Sequence, residues 1–119
     1  NVPNLVVTVG KNYIASRMAS NSATVMSHMA IGTGTSTPIV GDTTLGIEAG
    51  RVTVSSFSAS TNTVTATATF PAGTGTGAIT EAGILNGSST GTLLCRTTFP
   101  VVNKASSDSI AITWVITVS

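Results

Sequence analysis

The sequence predicts a mainly β protein, an antiparallel β-sandwich of jelly-roll-like type with one short N-terminal helix. From Arg51 onward the chain alternates apolar and polar residues with a period of two, as half-buried strands do. Over the whole chain six or seven short strands are expected, separated by clusters of Gly, Pro, Asn and Ser, and short strands with turn signals at roughly 8–12-residue spacing describe a sandwich or barrel. Only one segment has helical spacing. Periodicity does not give strand order, so an immunoglobulin-like sandwich fits the same pattern.

Residues 1–9 read as an N-terminal arm and residues 10–119 as a single sandwich domain. In the arm, "LVVTV" (Leu5 to Val9) is apolar and β-branched. It suits an edge strand, added either to a neighbouring chain or to the protein's own sheet. The opening "NVPNLVVTVGKN" has neither the basic region nor the apolar core of a signal peptide, so none is expected. In "GKNYIASRMASN" (Gly10 to Asn21), Tyr13, Ile14, Arg17 and Met18 recur at helical spacing. Asn12 is a candidate start cap and Asn21 a candidate end. A helix of about two turns is marginal alone and must dock on something.

Val25 to Gly32 reads as a buried strand, and Gly32 to Thr44 as a long loop of turn residues around Pro38. Arg51 to Ser58 is a strand, Ser60 to Asn62 a turn, and Thr63 to Phe70 a strictly alternating strand. The last of these sets Val64, Ala66, Ala68 and Phe70 on one face and threonines on the other; Thr and Val favour it because a branched Cβ is stiff. Pro71 to Gly77 breaks the ladder. Ala78 to Leu85 and Thr92 to Phe99 flank "NGSSTG", and Pro100 restricts further pairing. The final strand places Ile110, Ile112, Trp114, Ile116 and Val118 on the inward face, and Ala111, Thr113, Val115 and Thr117 on the other. A strand semi-apolar on its second side belongs in an interior or under a partner.

The chain has 119 residues, of which 8% are charged, with a net charge of +1; an average globular protein carries about 25%. Phosphate binding needs several Lys or Arg on one face, so nucleic acid is not an expected partner. No apolar run approaches the roughly 20 residues of a membrane span, so a membrane is not expected either. A mean hydropathy of +0.42 argues against a disordered tail. So neutral a surface suits a protein held against neighbours in a fixed assembly. One cysteine permits no internal disulfide. Cys95 reads as a small buried hydrophobe, with a free thiol or an intermolecular link as alternatives.

Glu81 and Arg96 are the only charges between Thr65 and Phe99. A symmetric hairpin closing over Asn86 to Gly91 sets Leu85 opposite Thr92, Gly83 opposite Leu94, and Glu81 opposite Arg96. Directly opposed charges attract by about 0.2–1 kcal/mol. Their larger effect is to select one register, because a one-residue slip sets Cys95 against the acid. Arg51 is a rival partner for Glu81, and two unrelated exposed charges are the simpler alternative. Glu81, Arg96 and Trp114 are therefore candidate structural residues.

No catalytic, cofactor or metal site is expected. His28 is the only histidine and lies on a strand, where a hydrogen-bonded structural role fits it best. A Cys95–His28 dyad needs spatial adjacency and an orienting group. Metal sites need three or four converging donors, and the six candidate residues are scattered. "GTGTSTP" lacks the Lys and following helix of a phosphate-binding loop, and Asp42 in "GDTTLG" lacks the companion acids of a calcium loop. Asn86-Gly87-Ser88 fits a glycosylation acceptor but has no secretion signal to give it meaning.

Read in order, "MAIGTGTSTPIVGDTTLGIEAGR", "TFPAGTGTGAITEAGIL", "GTLLCRTTFPVVNK" and "ITWVITV" resemble small virion structural proteins of tailed bacteriophages, and more loosely the N-terminal regions of phage tail-fibre proteins. The resemblance covers the chain from about Ser27 to its end, with "VGKNYIASRM" also fitting. It implies a structural protein without enzymatic activity, located in the virion and made in the host cytoplasm. The role first expected is a capsid cement or decoration protein on the capsid surface. Such a protein clamps major capsid protein subunits and associates with copies of itself, most simply as a dimer, through the arm and the loop Thr33 to Gly50. The alternative is a tail or tail-fibre-attachment component. A carbohydrate-binding module is a third reading, weakened by 4% aromatic residues and an inward Trp114.

Overall fold

A computed structural model describes residues 5–20 and 23–117. The elements run β1 (Leu5–Val6), α1 (Thr8–Ser20), β2 (His28–Gly32), β3 (Glu48–Thr53), β4 (Ser56–Ser60), β5 (Thr63–Phe70), β6 (Gly77–Leu85), β7 (Leu93–Lys104) and β8 (Ile110–Thr117). They form two antiparallel sheets, a five-stranded one in the order β1-β7-β6-β2-β3 and a three-stranded one in the order β4-β5-β8. The protein is the two-layer β-sandwich that its periodicity predicts, with one short helix.

Between the sheets, Met29, Ile31, Ala82, Ile84 and Cys95 meet Ala66, Ala68, Phe70, Trp114 and Ile116 from the smaller sheet. Strand β5 is the one expected, with Ala66, Ala68 and Phe70 fully buried. All eight of its residues pair with β8, from Thr63↔Thr117 to Phe70↔Ile110. Trp114 and Ile116 are buried and Val115 is exposed, as the alternation requires; Val118 lies outside the described residues. The larger sheet also buries its other face. There Val7, Ala30, Leu45, Leu85 and Leu93 form a second, smaller core.

Several boundaries differ from expectation, each for a physical reason. The run Arg51 to Ser58 is two strands, because the chain leaves one sheet after Thr53 and enters the other at Ser56. Val52, Val54 and Phe57 pack on the same core on both sides of this corner, but the step from Val54 to Phe57 is three residues, so the alternation shifts by one residue at the bend. Strand β7 continues through Pro100, because a register shift between Ile79↔Val102 and Glu81↔Thr98 places the proline where no ladder bond is needed. Strand β2 begins at His28, with Val25 outside it and exposed.

The segment 1–9 is not a free arm within its described part. Leu5 and Val6 pair with Arg96 and Cys95 of the chain's own β7, and Val7 N–H donates to the Leu94 carbonyl. The helix begins at Thr8, so Asn12 lies inside it rather than at its cap; Asn21 lies outside the described residues. Its first N–H group is satisfied tertiarily, with Thr8 N donating to the Val40 carbonyl at 2.7 Å. Gly10 is its buried position and Tyr13 is half-buried, whereas Ile14 and Met18 face solvent. A Cβ on Gly10 would meet the backbone carbonyl of Leu94, so only glycine permits this close docking on β7.

Candidate functional site

On the outer face of the larger sheet, the long loop between β2 and β3 is tied down by one acid and one base. Glu81 and Arg96 are fully buried, at 0% and 1% exposure. They form an ion pair, with Arg96 Nε and Nη2 each 3.0 Å from Glu81 Oε1. The pair is diagonal, not directly opposed. Glu81 faces Thr98 and Arg96 faces Gly83, because an irregularity between Ile84 and Leu85 shifts the hairpin register. The total displacement from the symmetric hairpin is two residues, which returns both side chains to one face. Long side chains reach across such a diagonal. Arg51, the rival partner, instead pairs with Glu48 at 2.7 Å and donates to the Gly87 and Thr90 carbonyls, pinning the hairpin loop.

The remaining valences of both groups go to the loop. Glu81 Oε2 accepts from Gly34 N and Ile47 N, and Oε1 from Gly46 N, each at 2.8 Å. Arg96 Nη1 donates to Asp42 Oδ2 at 2.9 Å and Nη2 to the Ser36 carbonyl at 3.0 Å. Asp42 Oδ2 also accepts from Ile39 N, closing a local turn. Thr80 Oγ1 donates to the Gly34 carbonyl at 2.6 Å. Burial pushes the Glu81 carboxyl up, but the N–H groups of Ile47, Gly46 and Gly34, together with Arg96, outweigh it and hold it below its ordinary value.

Glycines make the approach possible. A Cβ on Gly34 would stand 2.5 Å from Glu81 Oε2, and one on Gly83 would stand 2.8 Å from the Leu45 side chain. The "GTGT", "GDT" and "TEAG" stretches thus have a common mechanical meaning. The first supplies the Gly34 N–H, the second supplies Asp42 to Arg96, and the third carries on β6 the carboxylate on which the loop's Gly34, Gly46 and Ile47 N–H groups converge. Asp42 and the amide donors are the members that periodicity did not reveal, since nothing local in a Gly/Thr loop says which sheet residue it will cover.

The other candidate residues are dispersed. His28 is half-buried, with Nδ1 2.7 Å from Ser27 Oγ and Nε2 3.3 Å from Thr53 Oγ1. Cys95 is fully buried, and burial pushes its thiol up to about 12, opposed by a hydrogen bond with the Ile84 backbone. Strand β6 separates Cys95 on β7 from His28 on β2, roughly two strand spacings or about 10 Å, so the two form no dyad. Among the described residues no group of three or more His, Cys, Asp or Glu stands together. No described helix is long and apolar enough to cross a membrane. Trp114 is 7% exposed and offers no sugar platform. Lys104, which sequence reasoning passed over, is 2% exposed and donates from Nζ to the Pro71 carbonyl at 2.9 Å. It ties the end of β7 to the turn after β5.

Comparison with curated proteins gives no match. The family described as phage tail-collar fibre protein, N-terminal, matches residues 3–118. That span includes the stapled loop, both sheets and the helix, so the chain belongs to the phage tail-collar fibre protein N-terminal family and is a structural component of the phage virion.

Proposed function

We propose that the chain is a non-enzymatic structural module that attaches a phage tail fibre to the tail. The family match over residues 3–118 carries this reading, and it favours the tail role over capsid cement. The chemistry of the fold supports it. Glu81, Arg96 and Asp42 hold a loop, while Glu48 and Arg51 hold a hairpin. Such paired charges rigidify a scaffold, which is what a structural module requires. The sparse remaining charge gives no footing for nucleic acid or anionic lipid.

Copy number and depletion test the proposal together. Mass spectrometry of purified particles is expected to give few copies, a number set by tail symmetry. Particles lacking the protein should keep heat-stable, filled heads and fail to adsorb. A copy number that scales with the shell lattice, with heads that burst early under heat or osmotic shock, would move the protein to the capsid as cement on the major capsid protein.

A further inference from the structure

The Asn86-Gly87 pair has no part in the function proposed above, and Asn86 is the only asparagine of the chain followed by glycine. Such a pair is chemically labile. Glycine leaves its own backbone nitrogen unhindered and its backbone free to turn, so that nitrogen can reach the preceding carboxamide carbon. The Gly87 nitrogen loses its proton and bonds to Asn86 Cγ, while Nδ2 takes up a proton and leaves as ammonia. Water then opens the cyclic imide. Attack at Cγ gives aspartate; attack at the Asn86 backbone carbonyl carbon gives isoaspartate, whose main chain runs through Cβ and Cγ. The sequence is a hydrolysis, with no oxidation or reduction.

In the folded protein both ends of the carboxamide are held. Thr92 N–H donates to Asn86 Oδ1 at 2.6 Å, and Nδ2 donates to the Thr24 carbonyl at 3.1 Å. Asn86 thus ties the 86–92 loop to the connection between α1 and β2. Arg51 of β3 clamps the same loop, with Nη1 2.9 Å from the Gly87 carbonyl and 2.7 Å from the Thr90 carbonyl. The loop has little spare room. A Cβ on Gly91, whose φ is +102°, would stand 2.6 Å from Asn86 Oδ1, and one on Gly87 would stand 2.8 Å from the Thr90 carbonyl oxygen. Ring closure removes the Thr24 bond, because the departing nitrogen is its donor. Aspartate then sets an acceptor against the Thr24 carbonyl, and isoaspartate also adds a backbone atom to a crowded loop.

We infer that Asn86–Gly87 is a deamidation site gated by the fold: closed while the 86–92 loop is shut, reactive when it opens, and unable to restore its tie to Thr24 afterwards. The reaction records opening events irreversibly, at a rate set by the fraction of time the loop is open. The inference rests on the loop alone and holds wherever on the particle the protein sits.

The full chain, incubated at pH 8 in native buffer and in unfolding guanidinium chloride, tests this by peptide mapping of the amide-to-acid mass change. In the denaturant Asn86 is expected to convert faster than any other asparagine. In native buffer it should convert at least tenfold more slowly than in the denaturant. Arg51→Gln frees the Gly87 and Thr90 carbonyls, and should raise the native rate at least threefold while leaving the denatured rate unchanged. Asn86→Asp makes one product directly and should speed hydrogen exchange across residues 23–27 and 86–92 at least tenfold. If Arg51→Gln does not fold, the parent's two rates and Asn86→Asp still decide. Equal parent rates in the two solvents, earlier conversion of another asparagine in the denaturant, a native rate indifferent to Arg51→Gln, or parent-like exchange in Asn86→Asp would each overturn the inference.

Discussion

Glu81 concentrates the local physics of this protein. A carboxylate at 0% exposure has lost its hydration, and three backbone N–H groups and one guanidinium replace it. Removing either charge leaves the other buried without its partner, so Glu81→Gln and Arg96→Gln are each expected to cost about 3–5 kcal/mol in urea unfolding. The double variant should cost less than the sum by at least about 1 kcal/mol; strict additivity would show that the two do not act as a pair. The carboxyl is depressed when folded, so its contribution is present above the unfolded value of about 4.3 and is lost as pH falls through the lower folded value. Acid titration of stability should therefore be flatter below about pH 4.3 in Glu81→Gln than in the parent. Gly34→Ala should destabilise by about 1–3 kcal/mol, since its Cβ would crowd Glu81 Oε2. Gly41→Ala, with nothing within 4 Å of an added Cβ, should stay within about 0.5 kcal/mol of the parent. That Glu81 and Arg96 share a face was legible, because facing depends only on parity and a two-residue shift preserves parity. Their diagonal geometry was not, since the irregularity at Leu94 is set by how the 86–92 loop closes.

The helix illustrates how packing outranks local spacing. Its apolar residues Ile14 and Met18 point outward, and its contact position is a glycine. Replacing glycine by alanine on an open helix stabilises by up to about 1 kcal/mol. Gly10→Ala should do the reverse, lowering thermal stability by about 1–3 kcal/mol, because the new methyl would strike the Leu94 carbonyl. A raised Tm would show that α1 does not dock as described. Helix existence was legible from period; its docking face was not, because hydrophobicity cannot mark a contact made by the absence of a side chain. The corner between β3 and β4 has a similar cause. An alternating pattern records which residues face the core and is blind to which sheet they belong to.

Across the molecule, the larger sheet is a middle layer, covered by the smaller sheet on one face and by the 33–47 loop on the other. Cys95 sits in the inter-sheet core and serves as a gauge of its integrity. With its thiol pushed up to about 12, it should resist aromatic disulfide reagents at pH 8 until the sandwich unfolds. Labelling rates should track global unfolding across a urea series, and rapid labelling in native buffer would mean that the sheets part locally. The sequence by itself determined the layered β class, the inward faces of β5 and β8, and the burial of Cys95 and Trp114. These follow from side-chain alternation, which is a local property of each strand. Only the tertiary structure decided the hairpin register, the sheet switch after Thr53, and the capture of residues 33–47 by Glu81 and Arg96. Each of those depends on which distant segments meet, and that is fixed by closure of loops and by space between backbones.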